Sequence, residues 1–424
     1  MSVATTATGV EREGRASAPP LSPARTRLAL LALALGGFGI GSTEFVAMGL
    51  LPNLAHDLLP ALAAAHPEAA NAQASWLVSA YALGVVVGAP TIATLAARFP
   101  RKQLLLVLAA TFTVATVASA LLPGFGLVLL ARFVAGLPHG AYFGVASLVA
   151  ASLMGPGRRA RGVALVLAGL TIANVVGVPA ITLLGQTTNW RVAYLAVAAI
   201  FALSFVAIAF LVPFQTGDPA ATMKRELKAF GRTQVWLALL IGSVGFGGFF
   251  AVYTFISPLV TEVTGLGLRF VPVVLIIVGV GMTVGNLVGG WAADRNIMRS
   301  VFSFFGVFAL SLVGLALSAS SVVGLLVFAF MIGASSAALS PAIQTRLMDV
   351  AGDSQTLAAA VNHASLNLGN SLGAFLGGAA IVAGFGYASP GWVGLALCVP
   401  GVGLAVASVL VERRHPIDRG VRAH

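Results

Sequence analysis

Charge is what this chain has least of. Of its 424 residues, 24 are Lys or Arg and 13 are Asp or Glu, together 9%, against 58% hydrophobic residues and a mean hydropathy of +0.97. That composition excludes a soluble globular domain. Cysteine is nearly missing too. The lone Cys398 falls in an apolar stretch, which excludes an internal disulfide and reads as a small buried hydrophobe. The three lysines, at 102, 224 and 228, never follow a glycine, so the Gly-Lys step of a Walker loop is lacking and ATP is not a direct fuel. There is no His-Glu-x-x-His and no nucleophile–base–orienter set, so the sequence offers no catalytic group, no metal site and no enzyme.

What the chain has instead is long apolar runs. Twelve stand out, over 28–51, 74–97, 103–122, 127–153, 162–185, 192–213, 235–258, 270–292, 300–318, 322–344, 357–380 and 392–411. Each matches the ~20 residues a helix needs to cross a ~30 Å hydrocarbon core. The alternating ~10-residue segments of a membrane β-barrel are not there. The expectation is an all-α integral membrane protein of twelve transmembrane helices.

The net charge of +11 is sorted rather than spread. With the N-terminal tail inside, 21 of the 24 Lys and Arg fall in cytoplasmic segments, Arg191 and Arg269 fall outside, and Arg132 lies within a span. Such asymmetry puts both termini in the cytoplasm and leaves no need for a nucleic-acid partner. Residues 1–27 read as a polar, disordered tail. A signal peptide over Arg25–Gly37 is disfavoured, because the preceding polar region is too long and the apolar run continues to Leu51.

The spans divide into two sets of six, 28–213 and 235–411, joined by a polar segment, 214–234, and followed by a C-terminal tail, 412–424. The halves look duplicated. Leu95-Ala96-Ala97-Arg98 closes the second span and Ala292-Ala293-Asp294-Arg295 the eighth; Asn174-Val175-Val176-Gly177 in the fifth echoes Asn370-Ser371-Leu372-Gly373 in the eleventh. Pro52 and Pro258 close the first and seventh. Each pair lies six spans apart, as a parallel repeat requires.

Glu44 is the one acidic residue inside these runs. A charge at mid-bilayer costs roughly 2.5–3.5 kcal/mol on insertion scales, so it faces the protein interior and marks a functional site by default. An isolated carboxyl there is suited to carrying a proton. Glu44 lies about 10 Å below the outer end of its helix, at ~1.5 Å per residue, and Arg132 enters the fourth span at similar depth. Burial favours a neutral carboxyl and a guanidinium favours an ionised one, so an arginine that moves relative to the glutamate can load and unload a proton. A static ion pair locking the helices is the competing reading. Pro52–Pro258 and Gly136–Gly333 alignments set Phe250 opposite Glu44 and Ala329 opposite Arg132, so neither charge is needed to build the repeat.

Spans 3, 6, 9 and 12 lack strongly polar residues away from their ends and read as lipid-facing. The others carry Arg132, His139, Asn174, Asn286, Gln344, Asn362, His363, Asn367 and Asn370. His139 sits on nearly the same face as Arg132 and reads either as a proton or substrate contact or as a helix-packing residue. Asn174, Asn362 and Asn367 read as cavity polar groups or as interhelical hydrogen bonds, and Met48 and Tyr253 as apolar cavity wall.

Gly41-Ser42-Thr43-Glu44-Phe45 running to Leu51-Pro52, Arg132 to Gly140 (RFVAGLPHG), Asn174 to Pro179 and Trp190-Arg191 carry a resemblance. Over residues 28–411 the chain resembles the major facilitator superfamily, and within it the twelve-spanner drug:proton antiporters of the chloramphenicol-resistance and arabinose-efflux permease branch. The resemblance implies two pseudo-symmetric six-helix bundles rocking in the inner (plasma) membrane, a monomer, no cofactor beyond the proton gradient, and export of small amphipathic compounds such as chloramphenicol-like antibiotics. Sugar or metabolite efflux and proton-symport uptake remain open on the same fold. Arg98, Asp294 and Arg295 match a charged cytoplasmic gate. Two departures weaken parts of the match: Gly177-Val178-Pro179 replaces a contiguous Gly-Pro, and Ala97 and Pro100 stand where the gate motif has Asp and Gly.

Overall fold

The computed structural model describes residues 22–96, 99–155, 158–216, 231–351 and 355–414, and every regular element among them is helical. Among the described residues, twelve helices are long and apolar enough to cross a bilayer. Spans 1 to 6 are Pro23–Gly49, Pro67–Ile92, Arg101–Leu121, Phe125–Met154, Arg161–Thr187 and Trp190–Leu211. Spans 7 to 12 are Thr233–Thr254, Leu268–Arg295, Ile297–Ser318, Val322–Val350, Val361–Phe385 and Ser389–Arg414. Each overlaps one of the expected runs. Most of the N-terminal tail, residues 217–230, the last ten residues and the gate residue Arg98 lie outside the described residues.

Three boundaries depart from expectation. Span 1 is helical from Pro23, inside the stretch expected to be disordered, because the Ser22 hydroxyl accepts the Arg25 N–H and Pro23 sits in the first turn. Span 10 continues to Ala351, carrying Arg346 inside a helix. Between the long helices Pro23–Gly49 and Trp76–Ala96 the chain is not loop but three short helices, Leu51–Leu58, Pro60–Ala65 and Pro67–Ala74, the last running into span 2, each with a proline in its first turn. Proline there gives up only an N–H that has no helical partner anyway.

The duplication is visible in the packing. A Cβ on Gly84 would strike the Phe133 carbonyl, on Gly88 that of Leu137, and on Gly136 that of Tyr81. In the second half Gly281 meets Phe330, Gly285 meets Ala334 and Gly333 meets Val278 through the same carbonyl atoms. All six residue pairs are related by one shift of 197 positions. Spans 2 and 4 therefore cross at backbone contact just as spans 8 and 10 do, which only glycine permits.

Spans 3, 6, 9 and 12 form the flanks. Val107, Val114 and Leu121, then Leu203 and Phe210, Leu310 and Leu317, and Val399 and Val406 are exposed at seven-residue spacing, two helical turns, so each helix shows one apolar face to lipid. Spans 1 and 7 are central. From Ile40 to Leu51 and from Gly245 to Val260 every residue is buried. Nearer the face that carries both chain ends, Leu31 and, in span 7, Trp236 and Leu240 are exposed. The two central helices are thus sealed in the half distal to the termini and uncovered on one side in the proximal half.

Candidate functional site

Between the bundles span 11 lies along span 2, and span 8 along span 5. The distal seal is polar at its rim and aromatic below. Asn71 donates to the Tyr387 hydroxyl at 2.7 Å, and the Ser75 and Ser79 hydroxyls reach the Ala374 and Ser371 carbonyls at 3.5 and 3.4 Å. Beneath, Phe45 stacks on Phe250 at 6.0 Å and meets the edge of Tyr253 at 5.5 Å, while Phe249 stacks on Tyr253 at 5.0 Å. Phe250, the counterpart of Glu44 in the repeat, is part of this plug. Met48 is fully buried beside it. Met48 and Tyr253 therefore belong to the closed distal end rather than to open cavity wall.

Arg132 is fully buried and well fixed. Its Nη1 donates to the Thr43 hydroxyl at 3.0 Å and its Nε reaches the Leu77 carbonyl at 3.4 Å. The guanidinium lies over the rings of Tyr81 at 4.5 Å and Tyr194 at 5.5 Å. Spans 1, 2 and 6 thus hold an arginine from span 4, yet its Nη2 has no hydrogen-bond partner. Glu44, next to Thr43 in the chain, is buried to 5% exposure. It feels the Arg132 charge but forms no ion pair with it, which disposes of a static Glu44–Arg132 lock in this state. The buried Asn370 side chain from span 11 meets this carboxyl.

Pro138 kinks span 4 between Phe125–Gly136 and His139–Met154, placing His139 at the bend. The His139 Nδ1 is 3.1 Å from the Tyr81 hydroxyl, and its ring is 5.6 Å from His363 of span 11. Phe143 stacks on His363 at 5.1 Å. Asn174 lies in a π-helical turn, Ala173–Gly177, with its carbonyl against Gly279 of span 8 and its Oδ1 unpaired. Asn362 Oδ1 is also buried and unpaired, and Asn367 donates only to the His363 carbonyl of its own helix. The side chains of Asn174, Asn362 and Asn367 therefore make no hydrogen bond between helices among the described residues, contrary to that expectation. Arg295 is exposed and stacks on Trp291 of its own helix at 3.5 Å, and Asp294 is exposed beside it. Neither reaches across to the first bundle, so no charged latch closes the proximal face among the described residues.

Sequence reasoning missed Thr43, Tyr81 and Tyr194. A signal existed: the chain has five tyrosines, and a tyrosine in an apolar span needs a partner for its hydroxyl. Tyr142, for example, donates to the Leu33 carbonyl at 3.0 Å.

Comparison with known proteins decides the family. The sequence matches the Major Facilitator Superfamily model over residues 33–351 and 274–423. The chain belongs to the major facilitator superfamily. It is 40% identical over 358 residues to the inner membrane transport protein YdhP of Escherichia coli K12, covering 84% of this chain and 90% of that one. It is 34% identical over 353 residues to a chloramphenicol resistance protein of Streptomyces lividans, covering 82% and 87%. The crystal structure of a D-xylose-proton symporter shares the fold, with a TM-score of 0.72 at 16% identity over 93% of this chain and 99% of that one. The major facilitator chain is a multi-pass membrane transporter and not an enzyme.

Proposed function

We propose that the protein is a proton-coupled antiporter that exports small amphipathic compounds across the inner membrane by alternating access, with Glu44 as the proton carrier. The observation that carries this is the pairing that is available but not made: a buried carboxyl in the field of a guanidinium that keeps one nitrogen unpaired, with no ion pair between them. Two buried groups in that condition have two stable arrangements, neutral and apart or ionised and paired. A proton chooses between them, and bundle rocking sets which side supplies or receives it. The sorting of Lys and Arg puts the termini in the cytoplasm, so the distal seal faces outside and this state is open inward. One chain carries both bundles and the whole site, so the working unit is the monomer.

The chloramphenicol-resistance relative supports a drug-like substrate, and the aromatic plug of Phe45, Phe249, Phe250 and Tyr253 gives the closed end an apolar floor that suits an amphipathic one. A more polar substrate, such as a sugar, is favoured by one feature: Asn362 and Asn367 carry unpaired amide oxygens that substrate hydroxyls would satisfy. The test is substrate-induced proton movement in inverted vesicles with an acid lumen, wild type beside Glu44→Gln, using chloramphenicol and L-arabinose as probes. Lumenal alkalinisation on chloramphenicol addition, lost in the variant, is expected. A response to arabinose alone moves the reading to sugar efflux, and an unchanged response in Glu44→Gln overturns the role of Glu44.

A further inference from the structure

Tyr81, His139 and His363 have no place in the scheme above, yet they are buried, polar and consecutive. The Tyr81 ring lies under the Arg132 guanidinium, and its hydroxyl interacts electrostatically with both Glu44 and Arg132. The same hydroxyl is bonded to His139 Nδ1 at 3.1 Å. His139 in turn faces His363, which belongs to the other bundle and is only partly buried. Span 11 is the helix that also brings Asn370 to Glu44. A line of exchangeable protons thus runs from the carboxyl, through span 2 and the kink of span 4, to a group on the opposite bundle.

We propose that Tyr81, His139 and His363 form a proton relay from Glu44 across the seam between the bundles, connected only while the distal side is closed. The proposal rests on Glu44 carrying a proton. In the hop, Glu44 gives its proton to the Tyr81 oxygen as the Tyr81 hydroxyl proton passes to His139 Nδ1. The resulting imidazolium releases its Nε2 proton to His363. Tyr81 and His139 end as neutral as they began, and one proton has moved from Glu44 to His363.

The groups facing His139 are Tyr81 from span 2, His363 from span 11 and the Phe143 ring of its own helix; His363 meets His139 and the face of Phe143. No carboxylate among the described residues contacts either ring, so neither imidazole is held permanently charged, and each is free to pass a proton on. Two imidazoliums side by side repel, which limits the relay to one proton at a time. Because His139 and His363 ride on different bundles, rocking separates them. The path to the inside then opens and closes with the transport cycle, which is what prevents a leak.

The test needs no substrate. The full-length protein in liposomes is stepped from acid to alkaline buffer while the infrared band of the protonated carboxyl is followed, in wild type, Glu44→Gln, Tyr81→Phe and His363→Phe. The Glu44→Gln difference assigns the band. Both relay variants keep an aromatic ring at their position; the expected result is that they retain the band and its titration midpoint but lose it at least ~100-fold more slowly, the range for a positioned proton-transfer group. Decay at the wild-type rate in both overturns the relay and leaves the Glu44 reading standing. A shifted midpoint or melting temperature without slower decay assigns the rings a packing role and also overturns it. A wild-type protein with no Glu44-dependent band removes the proton-carrier reading itself.

Discussion

Replacing Arg132 by lysine keeps a positive charge and removes only the shape of the guanidinium. The fork matters because it is used on several sides at once: Nη1 on Thr43, Nε on the Leu77 carbonyl, and the flat face over Tyr81 and Tyr194. An ammonium is a single point and can serve Thr43 or the Tyr81 face, not both. A hydrogen bond to a charged group is worth about 1.5–3 kcal/mol, and a desolvated cation–π contact about 2. The 3.4 Å bond to Leu77 is long and adds little. Losing one of the two strong contacts costs about 2 kcal/mol, roughly a 30-fold shift between an ordered and a loosened cation. A loosened cation acts less on Glu44. Since a nearby positive charge favours the ionised carboxyl, weakening it moves the pH profile of transport alkaline. The assay is chloramphenicol-induced proton movement as a function of pH, alongside thermal unfolding in detergent. A Lys variant with the wild-type pH profile and wild-type stability would refute the argument that the fork couples Arg132 to Glu44.

The repeat makes a matched prediction: Gly88→Val and Gly285→Val, which drive Cβ into the Leu137 and Ala334 carbonyls, lower folded yield by similar amounts on size-exclusion chromatography, and tolerance of one but not the other would contradict the shared packing. At the end of the second bundle that carries the chain terminus, buried Arg346 pairs with Glu412 at 2.9 Å and donates to Gln234 and Ser408. Removing the acid leaves the more deeply buried charge uncompensated, at about 3–5 kcal/mol. Glu412→Gln should therefore lower the melting temperature more than Arg346→Gln, whose remaining carboxylate is 21% exposed.

The span count was legible because apolar length is a direct response to bilayer thickness, and the lipid-facing role of spans 3, 6, 9 and 12 followed from what they lack. Glu44 and Arg132 were legible because a charge in a span needs a reason. Their relation was not, since sequence depth places two residues at one level without saying which rotamers meet. Arg132 turned to Thr43 and the tyrosines rather than to Glu44. Arg346 was counted as a loop charge because the helix was ended at 344, where the polar residues of span 10 begin; packing against Gln234 and Ser408 extends it to Ala351. The distal helices of 51–74 had readable signals in Pro52, Pro60 and Pro67, but each is too short to show a hydrophobic period. The His139–His363 contact joins residues of different bundles, which no local pattern reports.

The most direct test of the account is the steady-state substrate gradient that reconstituted protein builds against a known proton-motive force. One carboxyl implies one proton per neutral substrate. A potential of 100 mV supplies about 2.3 kcal/mol and one pH unit about 1.4, together enough for a gradient of about 500-fold. Wild-type vesicles should approach that gradient for an exported probe such as chloramphenicol, and Glu44→Gln vesicles should only equilibrate it. A Glu44→Gln protein that still concentrates the probe above its bath level would contradict the claim that Glu44 carries the proton.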